Sequence, residues 1–187
     1  PAGNIQPGTI TPLHPREEYL EFLRTLVDFD TLKKAKNLRI LYDPMHGAGQ
    51  GYIDTLLKEC GIQVDTIHTG RDPLFGGTMP EPKEEYLPEL VAQVKSKGYD
   101  LGLSSDGDGD RFGVVDETGR FLIANEIVPM VFRHLYKNRG FRGAVVRSLA
   151  TSKLLDRLAE VYGNVPVIET PVGFKWIGQA MRDQDVI

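Results

Sequence analysis

Strand-like apolar runs alternate with amphipathic helical stretches along most of this chain, and that order restricts it to a largely parallel sheet with helices on its faces. Residues 38–43 read as a strand, followed by a turn-rich segment through Gly51 and a helical pattern carrying Ile53, Leu56 and Leu57 up to Gly61. The order recurs: strand 62–67, a Pro- and Gly-rich loop over 70–82, helix 84–97 and strand 100–104. Ahead of these, Tyr19, Phe22, Leu23, Leu26 and Val27 share one face of a helix near 15–30. Residues 111–123 then read as an antiparallel hairpin turning at Glu117-Thr118-Gly119-Arg120. A second series follows from Asn125: helix 126–138, strand 144–147, helix 151–162, strand 166–169, a loop and helix 176–182. The expected fold is a three-layer α/β/α domain with a mixed, mostly parallel sheet, followed by a truncated second α/β unit of similar type. The boundary is placed between residues 121 and 122.

Of the 187 residues 41% are apolar, enough for a packed core. A net charge of −4 argues against a nucleic-acid backbone or an anionic membrane as main partner, since both call for a basic face. No apolar run nears the ~18 residues of a membrane span, and residues 1–15 resemble neither a signal nor a transit peptide, so a cytoplasmic protein is expected. The single cysteine, Cys60, has no internal partner for a disulfide and reads as a buried thiol at a helix end. With no initiator Met and an apolar tail, Asp185-Val186-Ile187, left without anything to close it, the sequence reads as truncated at both ends.

The chemistry concentrates in Asp106-Gly107-Asp108-Gly109-Asp110-Arg111. Three carboxylates at alternate positions repel one another unless a positive charge sits among them. Gly107 and Gly109 free the backbone to curl, and such hard oxygen ligands suit Mg²⁺, Mn²⁺ or Ca²⁺. The loop also follows the carboxyl end of a parallel strand, where open α/β sheets bind ligands. Asp106, Asp108, Asp110 and Glu117 fall at positions one, three, five and twelve of an EF-hand loop. Arg111, however, stands where that loop needs glycine, and residues 112–115 look like a strand.

Two further loops carry weaker signals. Asp43-Pro-Met-His46-Gly47-Ala-Gly49-Gln-Gly51 invites a dinucleotide-binding reading, but its glycines are misplaced for Gly-x-Gly-x-x-Gly, and a tight strand-to-helix turn with a structural His46 is the plainer account. Thr170-Pro-Val-Gly-Phe-Lys175 is another loop after a strand; Gly173 lets backbone approach a ligand, and Lys175 is read either as a solvated lysine or as a partner for phosphate or a sugar hydroxyl.

Together these segments resemble the α-D-phosphohexomutase superfamily, the phosphoglucomutases and phosphomannomutases, over nearly the whole chain. The resemblance implies four domains, of which this chain matches the second (1–121) and the first part of the third (122–187). It implies that Asp106, Asp108 and Asp110 bind Mg²⁺, that Arg111 lies beside the transferred phosphoryl group, and that Val172, Gly173, Phe174 and Lys175 belong to the substrate side, with 172–174 facing the sugar. The reaction implied passes phosphate between a phosphoserine and a hexose phosphate through a bisphosphate. No Ser-His-Asn-Pro phosphoserine loop, Gly-Glu-x-Ser-Gly sugar loop or fourth-domain phosphate clamp occurs in these residues, so the chain alone is expected to be inactive and to need the remaining domains. The alternatives are a non-catalytic metal- or phosphate-binding α/β module and a nucleotide-dependent oxidoreductase. Which hexose phosphate is preferred is not legible.

Overall fold

The computed structural model describes Gly8 and residues 11–187, so the opening of the first expected domain, and most of the amino-terminal stretch weighed as a leader, lie outside the described residues. Two compact units are formed, Pro1–Phe121 and Leu122–Ile187.

The first unit is built on a five-stranded sheet of order β2-β1-β3-β4-β5, with β1 (Arg39–Asp43), β2 (Gln63–Thr66), β3 (Leu101–Ser105), β4 (Phe112–Asp116) and β5 (Phe121–Leu122). β1 runs parallel to both β2 and β3, and β4 runs antiparallel to β3, which makes the sheet mixed. Successive side chains of a strand point to opposite faces. Ile40 and Tyr42 therefore pack beneath α2 (Phe29–Leu32) and α3 (Ile53–Glu59), through Phe29, Leu32, Ile53 and Leu57. Leu41 packs on the other face beneath α4 (Pro88–Lys97), through Leu90 and Val94. Three layers result. Helix α4 comes close enough that a Cβ on Gly102 would lie 2.8 Å from Val94 Cγ2 and 3.1 Å from Val115 Cβ, so a larger residue there would push the helix off the sheet.

The helix expected over 84–97 is divided. Glu84–Tyr86 forms a 3₁₀ turn, and Pro88 then opens α4 at its first position, the one helical site where a missing N–H costs nothing. Gly98 closes α4 in the left-handed region (φ 65°). Arg39 Nη1 donates to the carbonyls of Lys97 and Gly98 just beyond, tying β1 to the helix end. The helix expected near 15–30 is likewise two pieces, α1 (Arg16–Leu26) and α2, with Asp28 capping the second through Thr31 N (3.0 Å).

The second unit holds α5 (Ala124–Arg133), continued by one π-turn over His134–Asn138, then β6 (Val145–Ser148), α6 (Leu154–Val161), β7 (Val167–Thr170) and α7 (Phe174–Asp183). β6 and β7 pair in parallel from Val145↔Val167 to Ser148↔Thr170. Phe132, Val145, Leu155 and Ala159 form the core. The carboxyl-terminal tail is not left open: Ala144 N donates to Asp185 O (2.8 Å), Ile187 N donates to Ala144 O (2.9 Å), and Ile187 packs on the core. Arg147 is buried and bridges α6 and β7, bonding both carboxylate oxygens of Asp156 (2.6 and 2.7 Å) and Glu169 (2.7 Å). Among the described residues no helix is long and apolar enough to cross a membrane.

Candidate metal centre and the 170–175 loop

β1 and β3 lie side by side with their carboxyl ends level, Asp43 opposite Ser104. Directly beyond Ser105 the chain must turn back into β4, and Asp106 to Arg111 make that turn, closed by Asp106 N donating to Arg111 O (3.2 Å). Gly109 takes a φ of 82°, which lets the two exposed carboxylates on either side of it swing toward the buried one. One oxygen each of Asp106, Asp108 and Asp110 lies within 4.8 Å of the others. Asp106 is fully buried, while Asp108 and Asp110 are exposed, so the cluster has a closed floor and an open mouth.

Arg111 anchors the floor. Its backbone N–H donates to Asp106 Oδ1 (3.0 Å) and its Nε to Asp106 Oδ2 (2.8 Å), while Nη1 reaches Glu81 Oε1 (2.6 Å). Burial works to raise the Asp106 pKa, but hydrogen bonds from Arg111 backbone and side chain, joined by Asp108 and Asp110, outweigh it and hold the carboxyl at about 2. The Asp110 pKa goes up instead, through its hydrogen bond to Asp106 and the charge of Asp108. Asp106 is thus pushed down and Asp110 up, the usual response of like charges held at close range. Three convergent carboxylate oxygens fit a hard divalent cation such as Mg²⁺, which takes few protein carboxylates and leaves positions for other oxygens.

The loop is backed by the turn after β1. A Cβ on Gly47 would fall 2.6 Å from Asp106 O and 2.8 Å from Gly107 Cα, and Ala48 N donates to Gly107 O (3.0 Å). On its other side Gly107 N donates to Pro80 O (3.1 Å). Beside the mouth lies a cavity of about 470 Å³ whose walls include Tyr19, Leu23, Tyr52, Asp108 and Gly109. Gly47 thus packs against the 106–111 loop and Gly49 against the Tyr42 and Ser105 side chains, while Gly51 takes a positive φ of 78°. His46 is a structural loop residue, its Nδ1 at 3.2 Å from Gly70 O, and Cys60 is buried. The EF-hand reading fails because Phe112–Asp116 is a strand and Glu117 sits in the following turn, outside the carboxylate cluster.

In the second unit, Thr170 ends β7 and Gly173 (φ 129°) precedes α7. The helix begins at Phe174, two residues earlier than the sequence pattern predicts, which puts Phe174 and Lys175 in its first turn. Val172 and Phe174 are exposed, and Lys175 Nζ lies 4.8 Å from the centre of the Trp176 ring. Glu81 was not legible as a site residue: it stands alone between two prolines, 30 residues from the arginine it holds.

The chain matches the sequence model described as "Phosphoglucomutase/phosphomannomutase, alpha/beta/alpha domain II" over residues 17–119, and the corresponding "domain III" model over residues 124–187. A phosphoglucomutase/phosphomannomutase of Thermococcus kodakarensis is 33% identical over 89% of this chain and 36% of its own length. Human phosphoglucomutase-1 is 32% identical over 95% of this chain and 33% of its own. A solved structure from Thermus thermophilus, assigned as a phosphomannomutase, superposes with a TM-score of 0.85 at 33% identity, covering 96% of this chain and 41% of that one. The chain therefore spans about a third of the length of the curated relatives it matches. Both units, each matched along nearly all of its described length, make this chain a member of the phosphoglucomutase/phosphomannomutase family.

Proposed function

We propose that this chain is the second domain (1–121) and incomplete third domain (122–187) of a cytoplasmic phosphohexomutase that interconverts hexose 1-phosphate and hexose 6-phosphate through a phosphoserine enzyme and a bisphosphate. The observation that carries the reading is the convergence of Asp106, Asp108 and Asp110 on one point, with Arg111 fixed against the buried member. Asp106, Asp108 and Asp110 would hold Mg²⁺, which when bound supplies Lewis-acid stabilisation to phosphoryl oxygens. Arg111 keeps its charge at any working pH, and its bonds to Asp106 and Glu81 orient the guanidinium before substrate arrives. Val172, Gly173 and Phe174 would face the sugar, and Lys175 would leave the Trp176 ring to hold substrate. The phosphoryl-carrying serine and the remaining substrate contacts belong to the other domains of the parent, so the isolated chain is expected to be inactive.

Steady-state kinetics of the full-length parent test these roles. Arg111→Ala should lower kcat roughly ten- to a thousandfold, as loss of a transition-state contact does, while Lys175→Ala should mainly raise KM. An unchanged kcat for the first removes Arg111 from the phosphoryl site; an unchanged KM for the second leaves Lys175 a surface residue.

A further inference from the structure

Behind the metal loop lies a second polar cluster to which no role has been given. Asp43, the last residue of β1, is buried, and its carboxylate accepts from Met45 N (2.8 Å) at one oxygen and from His68 Nδ1 (2.9 Å) at the other. The second ring nitrogen of His68 lies 3.2 Å from Glu89 Oε2 on α4. A neutral imidazole has one N–H and could satisfy only one of these carboxylates, leaving a lone pair facing the other. The imidazolium satisfies both.

The backbone around this ring is unusual. Met45, His46 and His68 all take positive φ (49°, 57° and 47°), a region that side chains other than glycine rarely adopt. His46 N donates to the His68 carbonyl (2.9 Å), so the ring and the strained turn are tied at two points, through Asp43 and through the His68 backbone. The next residues of the turn are those that touch the metal loop: Gly47 against Asp106 and Gly107, and Ala48 N on Gly107 O.

We infer that His68, as an imidazolium clamped between Asp43 and Glu89, is a positioning residue that presses the 43–48 turn against the Asp106–Asp110 loop and so sets the loop's affinity for its cation. The inference rests on the metal-site reading of that loop. The groups facing the ring are Asp43 from β1, Glu89 from α4, and His46 from the turn at 5.4 Å between ring centres; Tyr86 lines the same cavity of about 190 Å³. Burial opposes the positive charge on His68, but the hydrogen bond and charge of Asp43, with Glu89 behind them, lift its pKa above the ordinary histidine value. A raised pKa means the clamp is complete below the ordinary histidine range and is lost as pH rises through the raised value. Carboxylate sites otherwise only gain metal affinity as pH rises, so a loss on the alkaline side is the distinctive sign.

The experiment is Mn²⁺ titration of the chain from pH 6 to 9, with histidine ring and amide NMR on the metal-free protein over the same range. His68→Asn and Glu89→Gln are the variants. Asparagine tolerates positive φ and keeps a donor for Asp43, so the first should fold while abolishing titration; Glu89 is exposed and outside the metal cluster. Expected are a roughly fivefold loss of Mn²⁺ affinity at the His68 pKa, the size of modest coupling between separate sites, with the Gly107 amide shifting at the same pH. The step should vanish in His68→Asn and move to lower pH in Glu89→Gln. Flat affinity with a Gly107 amide blind to His68, or a step unmoved by Glu89→Gln, overturns the inference. If Mn²⁺ does not bind but Gly107 still follows His68, the metal reading fails while the positioning of the loop stands.

Discussion

Replacing Gly47 by alanine adds one carbon at the contact between the two turns. Because the φ of Gly47 lies outside the positive region, alanine meets no backbone penalty, and by restricting the unfolded chain it would even stabilise by about 0.4–1 kcal/mol. Against this, the new Cβ would lie 2.6 Å from Asp106 O, where carbon–oxygen contacts settle at about 3.3 Å or more. The loop must retreat by some ~0.7 Å, and no flexible side chain can give way, since all three close atoms, Asp106 O, Gly107 Cα and Gly107 O, are backbone. Overpacking of this kind costs about 1–3 kcal/mol, so the net loss should be about 1–2 kcal/mol. The Ala48–Gly107 bond and the placement of the carboxylates move with the loop, so Mn²⁺ affinity should fall about tenfold, the equivalent of ~1.4 kcal/mol. Urea unfolding should show a midpoint lowered by about 0.5–1 M with an unchanged slope. Gly77→Ala is the control: its φ of 76° brings backbone strain, but nothing lies within 4 Å, so stability should drop without loss of metal affinity. A Gly47→Ala protein as stable as the parent, with undiminished Mn²⁺ binding, would refute the claim that this turn shapes the loop.

Arg147→Ala should destabilise the second unit by about 2–3 kcal/mol in urea unfolding, below the ~3–5 kcal/mol of breaking a fully buried pair because Asp156 and Glu169 retain some contact with water; a loss under about 0.5 kcal/mol would show the bridge to be incidental. Acid stability carries a second test. A carboxyl lowered from 3.8 to about 2 contributes stability that is full above the unfolded value and lost as pH falls through the folded one. Metal-free wild type should therefore lose stability between pH 4 and 2 more steeply than Asp106→Asn, and parallel curves would contradict the assignment.

What was legible in the sequence was what is local in it. The strand–helix alternation survives because each segment carries its own period, and Asp106–Arg111 could be read as a unit because its carboxylates and glycines are contiguous. The division of the 84–97 stretch was available in principle, since a proline inside a helix costs a hydrogen bond and about 3 kcal/mol and favours the first turn instead, but apolar spacing on both sides concealed it. Nothing local marks Glu81 as the partner of Arg111, or His68 as the bridge between Asp43 and Glu89. Those pairings arise from which strand ends the sheet brings together. Gly47 is similar: its lack of a side chain looks like turn chemistry, and only the approach of Asp106 and Gly107, some 60 residues away, shows what the missing Cβ leaves room for.

The most direct test of the metal centre is calorimetric titration of Mg²⁺ and Mn²⁺ into the wild-type chain and into Asp108→Asn, whose exposed side chain can change without disturbing the core. The three carboxylates should take one cation per chain, weakly, since the site lacks the phosphoserine oxygen expected from the parent's other domain, and Asp108→Asn should weaken binding at least tenfold. Equal binding by the two proteins would place the cation elsewhere and remove the foundation of the proposed function.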